Sequence, residues 1–223
     1  KLWSDQIKQE QIERNRENYF KITHYVMDSI NNILILMKHI DEELSGVNIF
    51  KVRAEGWKYI KPLAWAPMRN PVLPEECVAM LLMLGEGDAM LSIQNLIAAD
   101  KSIWGNYLKF QNLHDQFTEE VDLIEGKNFE DENGAGKSFD INPRAHPKAY
   151  RLARTIQSFS WAFFDRLPDI EEDMRNAEDA LYSITERHQV SLGLDAPFKG
   201  FEKDRRFEKY TSRRLSRREI LDL

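Results

Sequence analysis

The chain is poor in residues that interrupt or cross-link a fold. Among its 223 residues are one cysteine, ten glycines and eight prolines. The single cysteine, Cys77, excludes an internal disulfide framework and a multi-cysteine metal site. Two acidic residues precede it, and because negative charge raises the pKa of a thiol, Cys77 is expected to be buried and structural. The scarcity of glycine and proline favours long helices joined by few turns.

Long apolar runs are missing as well. No stretch of 18 consecutive apolar residues occurs, so no segment of the chain is expected to span a membrane. No secretory signal pattern is visible. The sequence starts at Lys1 without a methionine, which leaves open an anchor upstream of residue 1, with Trp3 at the membrane interface. We therefore expect a cytoplasmic protein. The alternative location is the inner face of a membrane.

A net positive charge is found at the C-terminal end. The net charge is −6. Residues 199–223 carry nine basic and five acidic side chains, a net charge of +4, which leaves −10 on the other 198 residues. The sequence thus predicts a helical domain over residues 1–198 and a basic tail over residues 199–223.

The basic tail contains the candidate residues for contact with a partner or an anion. They are six arginines: Arg205, Arg206, Arg213, Arg214, Arg217 and Arg218. Docking on the acidic body of the same or a neighbouring chain is the favoured interpretation. An anionic membrane surface comes second. Nucleic acid comes third, because the protein as a whole is acidic.

Three long segments have apolar residues at helical spacing. In the last of them, steps of three and four residues run from Leu152 to His188 through Phe163, and Pro168 within the segment does not interrupt them. The first extends from Ser4 to about Leu44. The second begins at Pro74, is interrupted at Gly85–Gly87, and resumes to about Ile124. Such stripes are typical of helices that bury one face against partners of similar length.

These patterns predict an all-α fold, an elongated antiparallel bundle of three long helices plus a short fourth helix, in up–down–up order. Residues 47–73 contain three prolines and several large apolar side chains, and a fourth proline follows at position 74, so we expect a packed, irregular connector. Residues 126–145 combine glycines, acids and Pro143, and are expected to form a mobile loop.

A glycine-rich segment and the histidines resemble functional sites, but both are better explained as ordinary structural elements. Gly134-Ala135-Gly136-Lys137-Ser138 lacks the first glycine of a phosphate-binding loop, and acidic residues precede it. Metal-binding bundles carry a glutamate three residues before a histidine. None of the five histidines of this chain has one. The sequence therefore gives no catalytic, metal or cofactor residue.

Two aromatic clusters remain, and they either line a ligand pocket or fill the core. Core packing is the favoured interpretation, because the residues recur at helical spacing. They are Trp104, Tyr107, Phe110 and Phe117 in the second segment, and Phe159, Trp161, Phe163 and Phe164 in the third.

The function expected from these features is that of a non-enzymatic interaction or scaffold domain that associates with itself. Long apolar stripes and a sparsely apolar stretch before Tyr19 suit association. The alternative is a ligand-binding or sensory helical bundle of a membrane-anchored protein.

Overall fold

Four helices account for most of the described chain, which confirms the all-α prediction. The computed structural model describes residues 2–45, 60, 61, 63, 71–124, 127–131, 134–138 and 141–194. The helices are α1 (Leu2–Glu43), α2 (Glu75–Met83), α3 (Gly87–Asp122) and α4 (Pro147–His188). Three are long and α2 is the short fourth. The six tail arginines and most of the connector lie outside the described residues.

Helix α1 buries the stripe expected from its sequence. Eight apolar side chains spaced three or four residues apart are buried, which places them on one side of a helix. At roughly 1.5–3 kcal/mol for each large aliphatic side chain, this burial is the main source of helix stability. The eight are Tyr19, Ile22, Val26, Ile30, Ile33, Met37, Ile40 and Leu44.

The interruption between α2 and α3 lies where the glycines predict it. Gly85 has a φ of +78°, and residues that have a Cβ rarely adopt this left-handed conformation. The amide of Glu86 donates to the carbonyl of Leu81 at 2.8 Å, which closes the end of α2. The next helix then begins at Gly87.

The chain forms two compact units, and each long helix contributes residues to both. The first unit contains Lys1–His39, Ala66–Trp104 and Arg166–Leu223. The second contains Ile40–Trp65 and Gly105–Asp165. The division at residues 198 and 199 expected from the charge pattern is a different one, and it stays a prediction because the tail is not described.

Within the first unit, α4 runs antiparallel to α3. Buried Glu86, just before α3, pairs with Arg187 at 2.8 Å and His188 at 2.7 Å, at the end of α4. Further along α3, Ser102 accepts a hydrogen bond from Arg166 at 3.1 Å. Residues later in α3 therefore contact residues earlier in α4, as expected for antiparallel helices.

Helix α1 also runs antiparallel to α4 in the first unit. Tyr19 is close to Thr185, and Ile12 lies against Gly193. Since both α1 and α3 oppose α4, they run in the same direction, which differs from the expected up–down–up order.

The segment expected to be a mobile loop contains a β-hairpin. Strands β1 (Lys127–Asp131) and β2 (Gly134–Ser138) pair antiparallel, with Asp131 opposite Gly134. Two residues separate the strands, and the second of them, Asn133, forms an Asn-Gly dipeptide with Gly134. That dipeptide is a hairpin signal, whereas the expectation of a loop rested on the acids, the glycines and Pro143 alone.

In the first half of α4 the buried stripe lies one residue away from its expected position. Phe159 and Phe163 are only half-buried, whereas Ser160 and Phe164 are buried. Aromatic residues at both 163 and 164 make the two registers nearly equal by sequence alone. From Leu167 onward the expected positions are buried, apart from Met174 and His188, which are partly exposed.

The burial expected for Cys77 is confirmed. Cys77 is fully buried. Burial is the main cause that raises the pKa of its thiol, and the charge of Glu76 adds to it.

None of the described helices is long and apolar enough to cross a membrane.

Candidate ligand-binding cleft

The first unit contains an open cleft of about 630 Å³. This volume lies within the usual range of small-molecule sites. Helix α1, the segment before α2, α2 itself and α3 contribute the lining. The residues that line it are Lys21, His24, Tyr25, Asp28, Ser29, Asn32, Pro71, Val72, Pro74, Glu76 and Asp100.

Polar groups that are almost completely buried form the floor of the cleft. Asp100 is 2% exposed and Ser29 is 1% exposed. The side-chain amide of Asn32 donates to Asp100 Oδ2 at 3.2 Å. Ser29 Oγ forms no hydrogen bond of regular geometry with the described residues, although it is near enough to Asp100 to favour the charged carboxylate.

The Asp100 carboxyl has an unusual proton affinity. Burial raises its pKa from 3.8 to about 6, and the charge of Asp28 adds to the increase. The Asn32 amide and the Ser29 hydroxyl act in the opposite direction but are outweighed. No described lysine, arginine or histidine pairs with Asp100 at ion-pair distance. The floor therefore holds a carboxyl group that changes charge near neutral pH.

Ion pairs between partly exposed side chains border the cleft. Lys21 Nζ lies 3.1 Å from Glu76 Oε1 and joins α1 to α2. His24 Nε2 lies 3.3 Å from Asp28 Oδ2, one helical turn further along α1. Exposed pairs of this kind contribute little to stability, about 0–1 kcal/mol each. They do, however, occupy the cationic groups of the cleft with carboxylate partners.

The spacing of polar residues on α1 explains how the cleft is built. Lys21, Tyr25, Asp28 and Asn32 follow one another in steps of four, three and four residues, so they share one face of the helix. This polar face lies directly beside the buried apolar stripe. On α3, Asp100 lies among Leu96, Ile97, Ile103 and Trp104, all of which are buried.

The α3 sequence contained a signal for this site. Along its apolar stripe the spacing from Ile97 to Trp104 is seven residues, because the position between them that would be apolar is Asp100. A charged residue at a buried helical position is rare unless it is paired or functional. The cleft itself was not predictable, since Asn32 and Asp100 are 68 residues apart.

Five residues of the aromatic clusters meet in the second unit around a cavity of about 20 Å³, close to the space that a single water needs. They are Tyr107, Phe110, Phe159, Phe163 and Phe164. A cavity of that size cannot hold a metabolite, which supports the core interpretation. The lining residues are Ile40, Ile60, Tyr107, Phe110, Phe159, Ser160, Phe163 and Phe164.

The histidines and the glycine-rich motif lie apart from the cleft, with the exception of His24. His114 lies beside Phe110, with ring centroids 6.0 Å apart, and burial lowers its pKa. The segment Gly134–Ser138 forms strand β2, whereas a phosphate-binding loop precedes a helix. Among the described residues, no group of three or more His, Cys, Asp or Glu side chains is arranged to hold a metal ion.

Comparison of the chain with models of protein families, with curated proteins and with solved structures finds no match.

Proposed function

We propose that the chain is a helical binding domain that holds a small polar molecule in the cleft of the first unit. The observation that carries this proposal is the floor of the cleft, where buried Ser29 and Asp100 lie beside half-buried Asn32. The sequence analysis considered a self-associating scaffold and a ligand-binding helical bundle, and this proposal corresponds to the second. The proposal concerns binding, and it assigns no reaction to the cleft.

The energetic cost of the floor supports a role in binding. A buried carboxylate that no described cation pairs with destabilises the fold, and burial accordingly raises the pKa of Asp100 to about 6. A buried hydroxyl without a good hydrogen bond adds a further cost of roughly 1–3 kcal/mol. Residues that weaken a fold are usually kept where they contact a ligand.

A pair of matched serine variants tests the proposal. Ser29 and Ser160 are both buried and both lack a regular hydrogen bond to a described residue, but only Ser29 lines the cleft. Small polar fragments added to the ¹⁵N-labelled full-length chain are expected to shift amide signals around Asn32 and Asp100. Ser29→Ala should weaken this binding up to about tenfold, the effect of one lost hydrogen bond, whereas Ser160→Ala should leave it unchanged. Fragments that bind only elsewhere would contradict the proposal.

A second function, self-association, is favoured by the start of α1. Between Trp3 and Glu17 the described side chains are exposed apart from Ile12 and Asn15. Trp3 is 79% exposed and Ile7 is 55% exposed, and the two are one turn apart. A helical stretch of this length is marginal in water without packing. A second copy of the chain would bury these side chains, and the basic tail would meet the acidic body of its neighbour.

Light scattering tests the self-association proposal. The full chain should form a dimer or a larger assembly at low salt, and raised salt should weaken it because exposed charge pairs are screened. Deletion of residues 199–223 should weaken it as well. Serine at both Trp3 and Ile7 should shift it toward monomer, while the control Lys8→Ser on the same exposed stretch should not. A monomer under every condition would leave only the cleft as a basis for function.

A further inference from the structure

The charges that line the cleft define the kind of ligand it accepts. Three carboxylates, from Asp28, Glu76 and Asp100, face one lysine and one histidine. Because Lys21 is paired with Glu76 and His24 with Asp28, the charge of Asp100 is not balanced by a described cation. A cleft with excess negative charge attracts cations and repels anions.

The floor also supplies hydrogen-bond acceptors close together. A carboxylate offers about four acceptor positions, and Asn32 uses one of them at Asp100 Oδ2. Ser29 Oγ adds an acceptor that no described donor occupies with regular geometry. An alkylammonium group carries three donors and no acceptor, so it matches this floor in charge and in hydrogen bonding. A carboxylate or phosphate ligand matches neither.

The walls suit a short apolar body attached to that cation. Pro71, Val72 and Pro74 contribute apolar surface on one side of the cleft, and Tyr25 adds an aromatic ring. Apolar walls around a few fixed polar groups are the usual composition of a small-molecule site. Such walls also bury the carbon chain of an amine while its charged end reaches Asp100.

We propose that the cleft binds a small primary amine, with its ammonium group on Asp100 and Ser29 and its carbon chain against the proline-lined wall. This inference rests on the proposed function and adds the ligand class to it. Binding of the ammonium group requires the charged form of Asp100, since a protonated carboxyl loses most of its attraction for a cation.

The amine proposal implies a definite pH dependence. With a pKa of about 6, only about a tenth of Asp100 is charged at pH 5. Apparent affinity for an ammonium ligand should therefore fall about tenfold between pH 7.5 and pH 5. Lys21, His24, Asp28 and Glu76 line the cleft as well, and their charges also act on a bound cation. The contribution of Asp100 must thus be separated by mutation.

Three probes of equal length test the ligand class on the full-length chain. They are butylammonium, 1-butanol and butyrate, each titrated while amide signals of the cleft are followed by NMR. Millimolar affinity is expected for butylammonium, as suits a very small ligand. The alcohol and the carboxylate should bind at least tenfold more weakly. Asp100→Asn should weaken butylammonium binding at pH 7.5 by about tenfold or more, and should remove most of the pH dependence. Glu119→Gln, an exposed site on the same helix, should do neither.

The outcomes separate this inference from the proposed function. If 1-butanol or butyrate occupies the cleft as well as butylammonium does, the amine assignment is overturned and the cleft remains a binding site. If butylammonium leaves the cleft signals unchanged while other fragments shift them, the amine assignment is likewise overturned. If no fragment and no probe shifts them, both proposals are wrong. Full pH dependence retained in Asp100→Asn would show that another group causes it and would overturn the role given to Asp100.

Discussion

Replacement of Asp100 by asparagine is expected to stabilise the protein at neutral pH, by up to about 3 kcal/mol in the free energy of unfolding. Between pH 3.8 and about 6, the folded chain holds a proton at Asp100 that the unfolded chain has lost. Stability therefore falls as the pH rises through this window and stays lowered above it. Asparagine carries no charge, and its side-chain oxygen can still accept the hydrogen bond from Asn32.

Urea denaturation of wild type and variant at pH 4 and pH 7.5 measures this effect. The stability gain from Asp100→Asn should be largest at pH 7.5 and small at pH 4. Glu119→Gln controls for the loss of one negative charge from the surface of the same helix. An equal or lower stability of Asp100→Asn at pH 7.5 would show that the carboxylate is already compensated in the fold, which would remove the energetic support for a binding role.

Truncation of Phe164 is expected to have the largest destabilising effect. Phe164 is 2% exposed and packs edge-on against Phe163, with ring centroids 5.6 Å apart. Phe164→Ala should lower the free energy of unfolding by roughly 3–5 kcal/mol, because a cavity replaces the ring. It would also enlarge the small cavity already present at this point of the second unit.

The neighbouring phenylalanine supplies the control for that prediction. Phe163 is only half-buried, so Phe163→Ala should cost clearly less than Phe164→Ala in the same denaturation experiment. The sequence alone assigned the large effect to Phe163, one position away. A larger loss from Phe163→Ala would therefore support the register expected from the sequence against the one that the structure has.

The parts of the fold that depend on local pattern could be predicted from the sequence. The buried stripe of α1 follows from helical spacing, and the break between α2 and α3 follows from Gly85 and Gly87. The preference of proline for the first turn of a helix leaves Pro143 and Pro147 as possible starts of α4, and the helix begins at Pro147. Each of these features is decided by residues within one or two turns of one another.

The parts that depend on distant residues could not be predicted in the same way. The direction of α1 relative to α3 depends on the path of the connector, and nothing in the spacing of apolar residues records it. The cleft depends on α1 and α3 lying side by side, which brings Ser29 and Asn32 to Asp100. The sequence marks Asp100 as unusual only through its place on an apolar stripe, and it gives no indication of its partners.

The most direct test of the central claim is to follow the Asp100 side-chain carboxyl carbon by NMR during a pH titration, with and without butylammonium. The structure predicts a titration midpoint near pH 6 for the free protein. Bound ammonium favours the charged carboxylate, so saturating butylammonium should move that midpoint to lower pH, while butyrate should not. A midpoint near 4 in the free protein, or one that butylammonium leaves unchanged, would contradict the claim that Asp100 is a buried ligand-binding carboxylate.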